Sequence, residues 1–216
     1  MCRLIAFAIF LVTFCTFASA DEVQDLTLKA EAGDAMAQYD LGGKYYKGSG
    51  VPQNFKQAVH WYTLSADQGL AAAQYGLGVL YDNGRGVAED DAKAVHWYTL
   101  AANQGFASAQ YNLATCYEHG TGVPPDGEKA VHWYTKAATQ GDADAQFNLA
   151  AMYASGKRIP KDDKQAYIWY SIGAANGDEE AATRRDAIAT RLSPEVSEAA
   201  QTEAAALYKK LQSHPE

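Results

Sequence analysis

Small and apolar residues recur along this chain on two alternating helical faces, and the pair of faces returns every 36 residues. The first face is Ala37, Leu41 and Tyr45, at i, i+4 and i+8, one side of an α-helix. Its copies are Ala73/Leu77/Tyr81, Ala109/Leu113/Tyr117 and Ala145/Leu149/Tyr153. The second face runs Ala58-Val59-His60-Trp61-Tyr62 to Ala66, with counterparts at Ala94 to Ala102, Ala130 to Ala138 and Ala166 to Ala174. Self-similarity at a fixed period of this size marks a repeat architecture. The pattern predicts an all-α chain of four helix pairs, at 35–70, 71–106, 107–142 and 143–178.

The residues between the faces punctuate them. Gly48, Gly84, Gly120 and Gly156 are placed to end each first helix, where glycine takes the left-handed conformation cheaply. A Gly-x-Gly loop follows, and its next apolar residue (Val51, Val87, Val123 or Ile159) is expected to tuck onto the core. Arg158 replaces the loop's second glycine in the fourth copy, so that loop is either strained by about 1 kcal/mol or shaped differently. Asn54, Asp90, Asp126 and Asp162 read as N-caps of the second helices, with Gln57 and Gln165 placed for a capping box. The small residues Gly42, Gly78, Ala114 and Ala150 suggest close approach of a neighbouring helix backbone.

The ends depart from the repeat. Residues 21–34 resemble the second half of a unit, because Ala30 and Gly33 precede Ala66 and Gly69 by 36, and predict a short capping helix. Ala181-Ala182 begins a fifth copy that loses its Gln-Tyr-x-Leu. Ser193-Pro194 then starts a last helix to about Gln212, so 179–216 are expected to form C-terminal capping helices. Residues 1–20 have the anatomy of a signal peptide: Arg3, an apolar run from Leu4 to Phe14, and a small-x-small site at Ala18-Ser19-Ala20. Bulky Phe14 before Cys15 argues against a lipoprotein, and an uncleaved anchor is the remaining alternative.

Charge narrows the partners. Cleavage would remove one Arg and no acid, taking the formal net charge from −8 to −9. Nucleic acid and anionic lipid require clustered Lys and Arg, so neither is expected as a partner. No stretch after residue 20 would span a membrane, and a monomer is expected. Cys2 and Cys15 fall in the signal segment, which leaves Cys116 as a half-buried structural thiol with no intramolecular disulfide.

The Leu-Gly-x-x-Tyr of Leu41, Gly42 and Tyr45, the Gly-x-Gly-Val loop, the Ala-x-x-Trp-Tyr second helix and the 36-residue length resemble the Sel1-like repeat family, relatives of the tetratricopeptide repeat. The resemblance runs almost continuously from Gly33 to Gly177. It implies an α/α right-handed superhelical solenoid whose first helices line a concave face. It also implies a scaffold or adaptor for proteins or peptides in the bacterial envelope or outside the cell.

Candidate chemistry is sparse. His60, His96 and His132 share one repeat position, but zinc gathers ligands at about 2.0–2.1 Å and adjacent helices stand about 8–10 Å apart. They read as partly exposed residues at the core edge, and no metal or cofactor is expected. The Gly-x-Gly loops end helices and so lack the strand-to-helix setting of a dinucleotide cradle. The alternative from another class is a peptidoglycan- or β-lactam-interacting protein or hydrolase, like a cysteine-rich branch of the same family. The chain has no Ser-x-x-Lys, Lys-Thr-Gly or paired cysteines to support it. A non-enzymatic binder is therefore expected. Trp61, Trp97, Trp133 and Trp169 read as structural. By analogy with tetratricopeptide units, Tyr39, Tyr75, Tyr111 and Phe147 would face the groove with Met36, Val79, Thr115 and Glu118 beside them. Asp82 and His119 would stand at the rim. The competing reading is that the aromatics pack between neighbouring first helices, since stacking most simply explains a position filled in every unit.

Overall fold

The computed structural model describes residues 22–213, in which α-helix is the only regular structure. The signal segment read at 1–20 and His214 lie outside the described residues. A short helix α1 (residues 22–31) leads, followed by α2 (Ala35–Lys47), α3 (Phe55–Asp67), α4 (Ala71–Asp82) and α5 (Asp91–Asn103). The remainder is α6 (Ala107–His119), α7 (Gly127–Thr139), α8 (Ala143–Ser155), α9 (Asp163–Ala175), α10 (Glu179–Ala189) and α11 (Pro194–Gln212). The chain forms two compact units, one ending at Ala101 and the other beginning at Ala102. In the first, α3 packs on both α2 and α4. In the second, α6 to α10 pack each on the next, and α11 lies on α9. This is the α/α solenoid pattern of consecutive helix pairs.

Local chemistry sets the helix ends. Asn54, Asp126 and Asp162 cap their helices, and Asp90 accepts the Lys93 N–H at 3.0 Å in the same way. The reciprocal half of the capping box is absent. The cap N–H groups instead reach back across the loop to a tyrosine carbonyl: Asn54 to Tyr45, Asp90 to Tyr81, Asp126 to Tyr117 and Asp162 to Tyr153, at 2.8–3.1 Å. That bond ties each second helix to the last turn of the first. Between them, Arg158 has φ 66°, matching Gly50, Gly86 and Gly122 at 70–76°. The fourth loop keeps the common shape and is strained. Room for it comes from Gly127, where a Cβ would stand 2.4 Å from the Arg158 carbonyl oxygen and 2.8 Å from its Cβ. The equivalent positions hold Phe55, Asp91 and Asp163.

Leu41, Leu77, Leu113 and Leu149 are fully buried. The innermost aromatic of each second helix is the tyrosine beside the tryptophan. Tyr62, Tyr98, Tyr134 and Tyr170 are buried, whereas Trp97 and Trp133 are only half-buried. These tyrosines also account for the small residues. A Cβ on Gly42 would stand 2.6 Å from the Tyr62 ring, and one on Gly78 would stand 2.7 Å from Tyr98. A ring therefore occupies the space expected for a helix backbone. Gly76 abuts the other edge of Tyr62, so that ring is wedged between α2 and α4. Cys116 is buried rather than half-buried, at 6% exposure.

The four glutamines of the repeat, Gln38, Gln74, Gln110 and Gln146, are buried. Each donates its Nε2 to a carbonyl eight residues earlier, near the end of the preceding second helix: Ala30, Ala66, Ala102 and Ala138, at 3.0–3.2 Å. Those carbonyls belong to the helix end that lacks intrahelical donors. The glutamine Oε1 then accepts from the next turn: Gln68 bonds Gln38 at 2.8 Å, Gln140 bonds Gln110 at 2.6 Å and Asn176 bonds Gln146 at 3.2 Å. At the far end, Arg191 grips Asp163 with Nη2 at 2.6 Å and Nε at 3.1 Å, which fixes the α10–α11 turn on α9.

Three outcomes follow. Gln146→Leu removes one of the bonds to the Ala138 carbonyl, which keeps the Gly141 N–H at 3.1 Å, together with the acceptor of the Asn176 amide. It should lower the unfolding free energy by about 0.5–1.5 kcal/mol per bond lost in urea titration. An unchanged midpoint would remove the glutamine from the stabilising bonds. Gly127→Ala meets the Arg158 backbone and should cost about 1–3 kcal/mol by the same measurement, whereas no loss would mean the loop moves freely. Burial would raise the Asp163 pKa, but the bonds from Arg191 and Lys161 outweigh it and hold it below the ordinary value. A depressed carboxylate stabilises the fold above its unfolded pKa of about 3.9 and loses that contribution as pH falls through the folded value. Wild type and Arg191→Ala should therefore differ in urea midpoint at neutral pH and converge towards pH 2. A gap that persists at pH 2 would assign the effect to packing.

Candidate functional site

The aromatic positions singled out in the first helices are half-buried, and each rests on the buried tyrosine of its own second helix. In the first unit, Tyr39 stacks on Tyr62 with centroids 5.6 Å apart and 26° between planes, and Tyr75 lies 5.9 Å from Tyr98. In the second unit, Tyr111 lies 5.8 Å from Tyr134, and Phe147 meets Tyr170 edge-on at 5.4 Å. The ring beneath each comes from a second helix, while Tyr39 also packs on the cluster that holds Ala73 and Leu77 of the next first helix, and Asn148 of α8 reaches Tyr111 of α6. The support is rigid because the tyrosine beneath is buried, and one side of each first-helix aromatic stays accessible.

The neighbouring positions divide. Met36 is 55% exposed and Val79 half-buried, both beside their unit's aromatics. Tyr39 also borders a cleft of about 470 Å³ between α1 and α2, where Glu22 and Asp25 face Lys44 and Lys47. The Lys44 ammonium meets Glu22 there at 2.9 Å. Thr115 and Glu118 are brought together around a core hydroxyl. Tyr134 donates its O–H to Glu118 Oε2 at 2.8 Å, and Thr115 Oγ1 lies 3.1 Å from the Tyr134 hydroxyl oxygen. Asp82 plays the equivalent part for Tyr98 at 3.2 Å. Thr115, Glu118 and Asp82 therefore anchor the buried ring as well as bordering the surface. Asn148 donates to the Tyr111 hydroxyl at 3.3 Å, and exposed His119 sits with Nδ1 3.1 Å from the Thr115 carbonyl.

His60, His96 and His132 are exposed, each ring edge-on to the following tryptophan at 4.9–5.2 Å. Among the described residues, no group of three or more His, Cys, Asp or Glu is placed to hold a metal ion. The supporting role of the tyrosines does not follow from the Trp-Tyr motif, although Tyr62 and its copies follow every tryptophan at the same period. That regularity was the available signal.

Burial raises the Tyr62 phenol well above its ordinary pKa, and it raises the Tyr134 phenol likewise, with the Glu118 carboxylate adding to the effect.

The geometry is that of a stacked helical repeat carrying one supported aromatic per unit. The Sel1 repeat family model matches residues 35–70, 71–106, 107–142 and 143–178. The chain belongs to the Sel1 repeat family. Among solved structures, a Sel1 repeat protein from Oxalobacter formigenes is 39% identical, with TM-score 0.68, over 76% of this chain and 48% of its own. A protective antigen present in uropathogenic Escherichia coli strains, displaying an SLR fold, is 31% identical, with TM-score 0.65, over 85% of this chain and 48% of its own. This chain thus spans about half the length of either. Comparison with curated proteins gave no match. Sel1 repeats typically serve as scaffolds for protein interactions.

A group with a raised folded pKa stabilises the fold below its unfolded pKa, about 10 for tyrosine, and loses that contribution as pH rises through the folded value. Absorbance titration at 295 nm should accordingly leave a fraction of the tyrosines, Tyr62 and Tyr134 among them, un-ionised until the protein unfolds. Full titration of all tyrosines in the folded protein would contradict the burial of this row.

Proposed function

We propose that this Sel1 repeat protein is an exported, non-enzymatic scaffold that binds a protein or peptide across the aromatic positions of its first helices. The observation that carries the reading is the repeated pairing of a half-exposed aromatic with a buried tyrosine behind it. An aromatic already held in place presents a large contact area with little rotamer freedom left to lose, and such residues dominate protein recognition. Met36, Tyr39, Tyr75 and Val79 offer this surface in the first unit, and Tyr111, Phe147, Thr115 and Glu118 in the second. Export rests on the pattern of residues 1–20, and similarity to a protective antigen is in keeping with it. The excess of acid favours protein over nucleic acid as the partner. No observation favours the hydrolase alternative. Among the described residues no helix is long and apolar enough to cross a membrane.

Capture from envelope extract by wild-type protein, compared with Tyr39→Ala/Tyr75→Ala and with His60→Ala/His96→Ala, tests the surface. The tyrosine pair should weaken capture of a given partner by at least about tenfold, as loss of two anchors of over 1 kcal/mol each would. The histidine pair should leave it intact, and helical circular dichroism should be preserved in both. Equal capture by wild type and the tyrosine variant would rule out this surface.

A further inference from the structure

A second cleft, of about 500 Å³, lies in the second unit, away from the aromatic positions. It is bordered by Thr139, Gln140, Asn176, Tyr208, Leu211 and Gln212, and among the described residues no charged side chain lines it. Its outer wall is the last turns of α11, so the sequence repeats no such wall elsewhere.

The buried glutamines orient the polar groups of this cleft. The Ala138 carbonyl can only accept, so Gln146 turns its Nε2 towards it and its Oε1 outwards. That Oε1 accepts from Asn176 Nδ2, and Asn176 Oδ1 accepts no bond from the described residues. The same relay runs from the Ala102 carbonyl through Gln110 to Gln140, whose Nε2 is used and whose Oε1 accepts no bond from the described residues. Two side-chain carbonyl oxygens are thereby fixed as acceptors at consecutive repeat positions. Their orientation is set from the protein interior, so it does not depend on a ligand.

We infer that this cleft binds an uncharged peptide segment, with its backbone N–H groups donating to Gln140 and Asn176 and an aliphatic side chain resting on Leu211 and Tyr208. Neutral acceptors favour neutral donors. A cation would be drawn to carboxylates, and an anion would be repelled by the exposed oxygens and find no positive charge among the lining residues. Repeated acceptors suit a polymer with repeated donors, which a peptide backbone is. The volume falls within the ~300–1,000 Å³ typical of sites that enclose a small ligand. The site is independent of the aromatic surface, because its lining contains none of those residues.

The test follows side-chain amide resonances of the purified protein in 1H–15N spectra, with acetyl-Ala-Leu-Ala-amide as probe. Saturable shifts at Gln140 and Asn176 are expected at millimolar peptide. Methylating the leucine nitrogen should weaken binding about tenfold, the scale of one lost hydrogen bond. Gln140→Met, which removes an acceptor from an exposed position, should do the same while the melting temperature stays within a few degrees. Tyr39→Ala should leave peptide binding unchanged, which separates failure here from failure of the aromatic surface. The inference is overturned if no saturable shift occurs, if the methylated peptide binds equally well, or if Tyr39→Ala abolishes the shifts. It is equally overturned if the neutral sugar cellobiose shifts these resonances and the peptide does not.

Discussion

The structure depends on a carboxamide buried where one repeat ends and the next begins. A helix leaves its final carbonyls without intrahelical donors, and in a stacked array those ends are shielded from water by the following helix. A buried polar group without a partner costs about 1–3 kcal/mol. Gly33, Gly69, Gly105 and Gly141 each return one N–H to such a carbonyl, and Gln38, Gln74, Gln110 and Gln146 add a second donor to the same oxygen from across eight residues. The same side chain caps a helix, fixes where the next one starts and orients a surface amide. The bond is present at α1 as well, through Ala30.

Around that junction the packing follows from volume. Glycine at 42 and 78 admits tyrosine rings that would collide with a Cβ, Gly76 lets α4 press close on Tyr62, and alanine stands at 114 and 150. The buried tyrosine then supports the half-exposed aromatic of the first helix, and its hydroxyl is satisfied by Asp82 or Glu118 in the second and third repeats. Structural and recognition roles are therefore layered. One ring of each pair is core, and the other meets solvent from a fixed position.

Much of the helical scaffold was legible in the sequence because its signals are local. The bounds of α2, the glycines of the loops and the Ser193-Pro194 start of α11 each follow from a residue's own backbone preference. The identity of the inner aromatic was not legible. Trp61 and Tyr62 are adjacent and lie about 100° apart on the helix, so either could point inwards until the neighbouring helices are placed. The glutamines were missed for a related reason, since a polar residue in an alanine-rich helix gives no sign that its partner is a carbonyl of the previous helix. Arg158 was legible as a conflict, and only the absent side chain at Gly127 shows how it is accommodated. Of the surface positions, Thr115 and Glu118 were placed by analogy, and their bond to the Tyr134 hydroxyl requires the fold to be seen.

The dependence on the buried carboxamide is tested most directly by a double-mutant cycle between Gln146 and Asn176, using Gln146→Ala, Asn176→Ala and the pair, each measured by urea unfolding. If the relay holds the junction, the two substitutions will couple by about 0.5–1.5 kcal/mol, as expected for a hydrogen bond made in the folded state. Strict additivity, with no coupling beyond error, would contradict it and remove the Gln146–Asn176 bond from what holds the junction.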